Sequence, residues 1–141
     1  MSDIITGRCN CGKYELTIPK PDKLGICHCI DCKRWSGSMH SSHLLMTASS
    51  VKITGPEPKT FQMKGDKGGT MTRAWCDGCG SGLWIRPEAI PNFLGVKAGL
   101  FDAFDIPNPT IELYTRNMCP WETTCATAKQ FEGGMQAAPS A

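Results

Sequence analysis

Cys76-Asp77-Gly78-Cys79-Gly80 is the stretch that decides how this chain folds. Two residues between thiols let the backbone turn so that both sulfurs meet one ion at about 2.3 Å, the spacing of a zinc knuckle. Gly78 and Gly80 admit the positive φ that such a turn uses. One knuckle is half of a tetrahedral site, so two more ligands must come from elsewhere. Cys9-Asn10-Cys11-Gly12 is suited to supply them. Cys9, Cys11, Cys76 and Cys79 then form a closed four-cysteine site of the structural kind, which clips the N-terminal segment to central strands.

A third group, Cys27-His28-Cys29-Ile30-Asp31-Cys32, has a different character. Its three thiols hold one face of an ion and leave the fourth position open unless another side chain closes it. Three protein ligands plus water or substrate is the catalytic arrangement. An all-thiolate face favours a soft exogenous ligand, and a thiol substrate fits best. The alternative is a second structural site closed by Cys119, Cys125 or a histidine.

Disulfides fit poorly. The nine cysteines are odd in number, and Met1 to Arg8 contains no apolar run long enough for a signal peptide. The expectation is a reducing, cytoplasmic location. A lone Cys-x-x-Cys could be a redox pair, but the βαβ context of such pairs is missing.

The 141 residues suit one domain, and 40% apolar with 20% charged residues is the composition of a globular protein. The formal charge of +2 falls to about −1 once seven thiolates and two Zn2+ are included. Neither value, nor any basic stripe, supports a nucleic-acid surface. No window approaches a membrane span. Short alternating runs bounded by Gly and Pro predict strands at 14–18, 43–46, 51–54, 61–64, 70–75, 82–85, 93–98 and 111–115. A short helix is expected after Cys29 and another near Trp121 to Ala126. The fold class is therefore mainly β.

Taken together, Gly7-Arg8-Cys9-Asn10-Cys11-Gly12, Cys27 to Ser38, Trp75-Cys76-Asp77-Gly78-Cys79-Gly80, Glu112-Leu113-Tyr114-Thr115 and Pro120-Trp121 resemble the glutathione-dependent formaldehyde-activating (Gfa-like) family. The resemblance runs from about Gly7 to Phe131. It implies an Mss4-like fold of several small antiparallel β-sheets. The expected domain covers 1–132, and the small, polar residues of 133–141 read as a flexible tail. It implies two Zn2+ per chain: a structural one on Cys9, Cys11, Cys76 and Cys79, and a catalytic one on Cys27, Cys29 and Cys32. It also implies a carbon–sulfur lyase that joins glutathione to formaldehyde, giving S-hydroxymethylglutathione. The competing class is a zinc-stabilised protein- or nucleic-acid-binding module without catalysis, or a member acting on another small molecule.

Lys33, Arg34 and Arg86 are candidate contacts for the carboxylates of a glutathione-like substrate; otherwise they are solvated charges. Trp35, Trp75, Trp84 and Trp121 are candidate pocket walls, with core packing as the default. His28 reads as a group supporting the ligands from behind, and His40 and His43 as ordinary surface or strand residues that could line the site.

Overall fold

In strands β1 (Ile4–Arg8) and β2 (Glu15–Pro19), alternate residues turn inward, burying Ile5 and Gly7 on one and Leu16 and Ile18 on the other. The two pair antiparallel, and β5 (Lys52–Thr54) adds to β2 to complete a three-stranded sheet. The structure is a computed structural model that describes residues 3–134.

The second sheet has eight strands. They are β3 (Leu24–Cys27), β4 (Ser41–Thr47), β6 (Lys59–Lys64), β7 (Thr70–Trp75), β8 (Gly82–Pro87), β9 (Phe93–Lys97), β10 (Ile111–Leu113) and β11 (Lys129–Gln130). Their order is β11-β10-β3-β4-β9-β8-β7-β6. Pairing is antiparallel except around β10, which runs parallel to β3 and β11. The mainly-β expectation holds, as a small three-stranded antiparallel sheet beside a larger, mostly antiparallel mixed one. In β7, β8 and β9 three successive residues are buried, so these strands are covered on both faces. Tyr14, Leu16, Ile18, Leu44, Leu83 and Val96 form the centre of the core between the sheets.

All eight predicted strands overlap observed ones. The last stops at Leu113, because Tyr114 adopts a left-handed φ of 57° and a 3-10 turn follows at Thr115–Asn117. Strands β1, β3 and β11 were not foreseen; Gly7 and Gly25 interrupt the apolar pattern of the first two. The helix after Cys29 is α1 (Ile30–Ser36), closed by Gly37 in the left-handed region. The helix near Trp121 to Ala126 is absent. A turn replaces it: the Glu122 N–H bonds Cys119 O at 3.0 Å, and Glu122 Oε2 accepts from the Cys119 N–H at 2.6 Å. The β-branched pair Thr123-Thr124 does not favour continuing it as helix.

At the C-terminal end, the Gly133 carbonyl accepts from the Tyr114 N–H at 3.0 Å. The rest of the expected tail, 135–141, lies outside the described residues. No described helix is long and apolar enough to cross a membrane.

Candidate metal centres

Cys9 ends the approach from β1, and Cys76 directly follows β7. The two loops have the same construction. Gly12 donates its N–H to Cys9 O at 3.1 Å, and Gly80 donates to Cys76 O at 2.8 Å. Both glycines sit at φ 80°. Of the two knuckle glycines expected to take positive φ, Gly80 does and Gly78 does not, and Gly12 plays the same part in the first loop. Backbone N–H groups also point at sulfur, from Tyr14 to Cys9 Sγ and from Gly78 to Cys76 Sγ, each at 3.3 Å.

The result is one cluster of Cys9, Cys11, Cys76 and Cys79, whose sulfurs all lie within 4.8 Å of one another. Cys9 and Cys11 sulfurs are 3.7 Å apart, and Cys11 and Cys76 sulfurs 3.6 Å. Four sulfurs about 2.3 Å from a tetrahedral ion sit about 3.8 Å from each other, so the donor set fits zinc. Outside the cluster, Lys13 Nζ pairs with Asp77 at 2.5 Å, and the Asn10 N–H donates to Ser81 Oγ at 3.1 Å. These contacts tie the two loops together.

Cys27, Cys29 and Cys32 form the second cluster. Cys27 ends β3, opposite Ser41 of β4 and Leu113 of β10. Cys29 caps α1, its Sγ accepting from the Cys32 N–H at 3.2 Å. The cap bond folds the Cys-x-x-Cys segment so that its sulfurs converge. The group ends at three: among the described residues no further His, Cys, Asp or Glu joins it. Cys119 Sγ instead meets Met39 Sδ at 3.2 Å, and Cys125 Sγ meets Thr127 Oγ1 at 3.3 Å. Hydrogen bonds from the Cys27 and Cys32 thiols pull Cys29 down to about 2, with the Cys32 N–H and the Arg73 charge assisting against burial. Sharing with Cys29 and Cys32, and burial, push Cys27 up.

Two cations missed in the sequence stand beside this cluster. Arg73 of β7 is 5% exposed, and its Nη2 lies 3.9 Å from Cys32 Sγ. Its Nε and Nη1 are buried without a hydrogen-bond partner among the described residues. Lys97, at the end of β9, donates through Nζ to Ser41 Oγ in a short hydrogen bond. Burial pulls Lys97 down to about 8, against the opposing charge of Cys32. Both cations lie over the Trp35 ring, at 5.5 Å for Arg73 and 4.5 Å for Lys97. Gly82 makes room for this stack: a Cβ there would come within 3.2 Å of the ring. The available signal was Arg73 itself, a charge inside an otherwise uncharged strand three residues before Cys76.

The other candidates divide. Trp35 is at the site, whereas Trp84 is core and Trp121 is 73% exposed. Lys33 Nζ donates to Asn117 O at 3.1 Å and braces a loop. Arg34 is exposed, and Arg86 lies over the Trp84 ring at 4.9 Å. His43 is buried in β4, its Nε2 2.9 Å from Ser41 Oγ. His28 is buried, with Nε2 2.7 Å from Glu112 Oε2.

Among curated proteins none matches the chain. Three solved chains match it in structure. One is a Rhodobacter sphaeroides protein, 15% identical, with a TM-score of 0.54, aligned over 70% of this chain and 89% of its own. At that identity the likeness concerns the fold. The sequence profile of the family described as glutathione-dependent formaldehyde-activating enzyme matches residues 4–117, which span both cysteine clusters, Arg73 and Lys97. The chain belongs to the glutathione-dependent formaldehyde-activating enzyme family.

Proposed function

We propose that this chain is a zinc-dependent enzyme of the carbon–sulfur lyase type, acting on a thiol–aldehyde adduct of the glutathione and formaldehyde kind. In this reading each chain holds two Zn2+, a structural ion on Cys9, Cys11, Cys76 and Cys79 and a catalytic ion on Cys27, Cys29 and Cys32. The observation that carries it is a three-sulfur cluster with no fourth protein donor among the described residues and an under-bonded, buried Arg73 beside it.

Zinc on three thiolates would supply one chemical service: it would bind a substrate thiol as thiolate and hold it beside the carbonyl carbon. The chain's own residues do the rest. Three thiolates and one Zn2+ carry a formal charge of −1, and a bound substrate thiolate deepens it. Arg73 and Lys97 offset that charge from within the protein. The Trp35 ring holds both cations beside the cluster by cation–π contact. In the forward direction a C–S bond forms, the thiol gives up its proton, and the carbonyl oxygen takes one up as its π pair becomes a lone pair. Lysis reverses each of these changes.

The test is the exchange rate between free glutathione, formaldehyde and their adduct, followed by NMR magnetisation transfer. The zinc-loaded protein accelerates exchange above the buffer rate, and Cys29→Ser does not. A wild-type rate equal to buffer contradicts the proposal.

A further inference from the structure

A second set of metal-binding atoms lies apart from the cysteines. His28, His40 and Glu122 each bring one ligand atom to within 4.8 Å of the others. His28 follows Cys27 and precedes Cys29, yet it belongs to this separate group.

Each donor that is buried is also held by a partner. His28 is 2% exposed, and its Nε2 meets Glu112 Oε2 at 2.7 Å. Glu112 is equally buried, and its Oε1 accepts from the Cys125 N–H at 2.9 Å. A carboxylate partner assigns the proton to Nε2, which leaves a lone pair on Nδ1. That nitrogen faces Glu122 Oε1 at 3.7 Å and the Met39 carbonyl at 3.3 Å. Two acceptors therefore surround an acceptor nitrogen. Glu122 Oε2 is committed to the Cys119 N–H at 2.6 Å, so Oε1 is the oxygen left for a ligand. His40 stands edge-on to His28 with ring centroids 5.6 Å apart, and its ring makes no hydrogen bond among the described residues.

We infer that His28 Nδ1, His40 and Glu122 Oε1 form a third metal site, for a divalent ion of the Zn2+ class. Two imidazoles and a carboxylate are a zinc donor set. Glu112 takes the place of the outer carboxylate that orients a ligating histidine. Three protein ligands leave a coordination position open, and the site borders a cleft of about 400 Å³ lined by Ile26, Trp121, Thr123 and Thr124. The inference is independent of the chemistry assigned to the cysteines.

The rival arrangement needs no ion: a protonated His28 bridging Glu112 to Glu122 and Met39. Equilibrium dialysis separates the two. Protein with both cysteine clusters already zinc-filled is dialysed against micromolar free Zn2+, and bound zinc is measured by elemental analysis. Wild type takes up one ion per chain more than His40→Ala or Glu122→Gln, whose affinity at this site falls at least tenfold. Gln at 122 still accepts from the Cys119 N–H, and His40 lies at the half-exposed edge, so both variants fold, as their melting curves check. The same excess Zn2+ raises the wild-type Tm and leaves that of His40→Ala unchanged. Equal uptake by wild type and both variants overturns the site and leaves the bridging imidazolium.

Discussion

Arg73 Nη2 lies 3.9 Å from Cys32 Sγ, and this is the guanidinium's only hydrogen-bond contact among the described residues. A cation buried to that degree is stable only against an opposing charge. The thiolates of the second cluster provide it. Arg73→Met is therefore expected to weaken zinc retention there by roughly ten- to a hundredfold, as about 1–3 kcal/mol of charge-assisted interaction is lost. Arg73→Lys keeps most of it. Competition with a graded chelator measures the effect, and unchanged retention in Arg73→Met would show the charge to be irrelevant.

The two cysteine clusters should fail differently. Cys11 and Cys76 are 65 positions apart, and their shared ion would fasten two loops of different sheets. Cys76→Ser is expected to cost on the order of 3 kcal/mol or more, lowering Tm by ~10 °C or beyond. Cys29→Ser, at a cluster confined to one short segment, should leave Tm within a few degrees, while zinc content drops. Equal losses in calorimetry would refute the division into structural and catalytic ions.

His43 gives a pH signature. Burial, with Lys97 and Arg73 adding to it, holds its pKa down to about 3. The folded protein thus keeps His43 neutral, whereas the unfolded chain protonates it below pH ~6.5. Between these values the unfolded state binds more protons. The His43 contribution is therefore complete above pH ~6.5 and is lost as pH falls toward 3, at up to about 1.4 kcal/mol per pH unit. His43→Gln, which retains a partner for Ser41 Oγ, should show a shallower acid limb in urea midpoints at pH 7 and pH 5. Acid release of zinc is common to both proteins and drops out of the difference. Parallel acid limbs would mean that His43 is already solvated.

Gly7 marks where β1 presses on the segment after β9. A Cβ there would sit 2.5 Å from Leu100 O and 2.7 Å from the Phe101 ring. Gly7→Ala should destabilise by ~1–3 kcal/mol, because backbone cannot yield as a flexible side chain would. Chemical denaturation with no shift in midpoint would show that β1 can move away freely.

Much of this molecule was legible from short-range spacing. Cys76-x-x-Cys79 and Cys9-x-Cys11 specify their own turns, and their pairing follows from the need for four ligands. Strands with clean alternation, such as Glu15–Pro19, were readable for the same local reason. Arg73 and Lys97 were not, because their meeting at Trp35 depends on the order of β4, β9, β8 and β7 in the sheet. The His28, His40 and Glu122 group is hidden likewise: Glu122 belongs to a turn where the local sequence predicts a short helix, and Glu112 reaches His28 only through the parallel pairing of β10 with β3. Long-range register, which no local pattern encodes, accounts for both omissions.

The central claim is that the Cys27, Cys29 and Cys32 cluster holds its ion with a position open to a small thiol. The most direct measurement is the absorption of cobalt-substituted protein, since sulfur-to-cobalt charge transfer reports the number of thiolates bound. Adding glutathione should raise that absorption by the contribution of one further sulfur in wild type and leave Cys29→Ser unaffected. A wild-type spectrum that does not respond to glutathione would contradict the account.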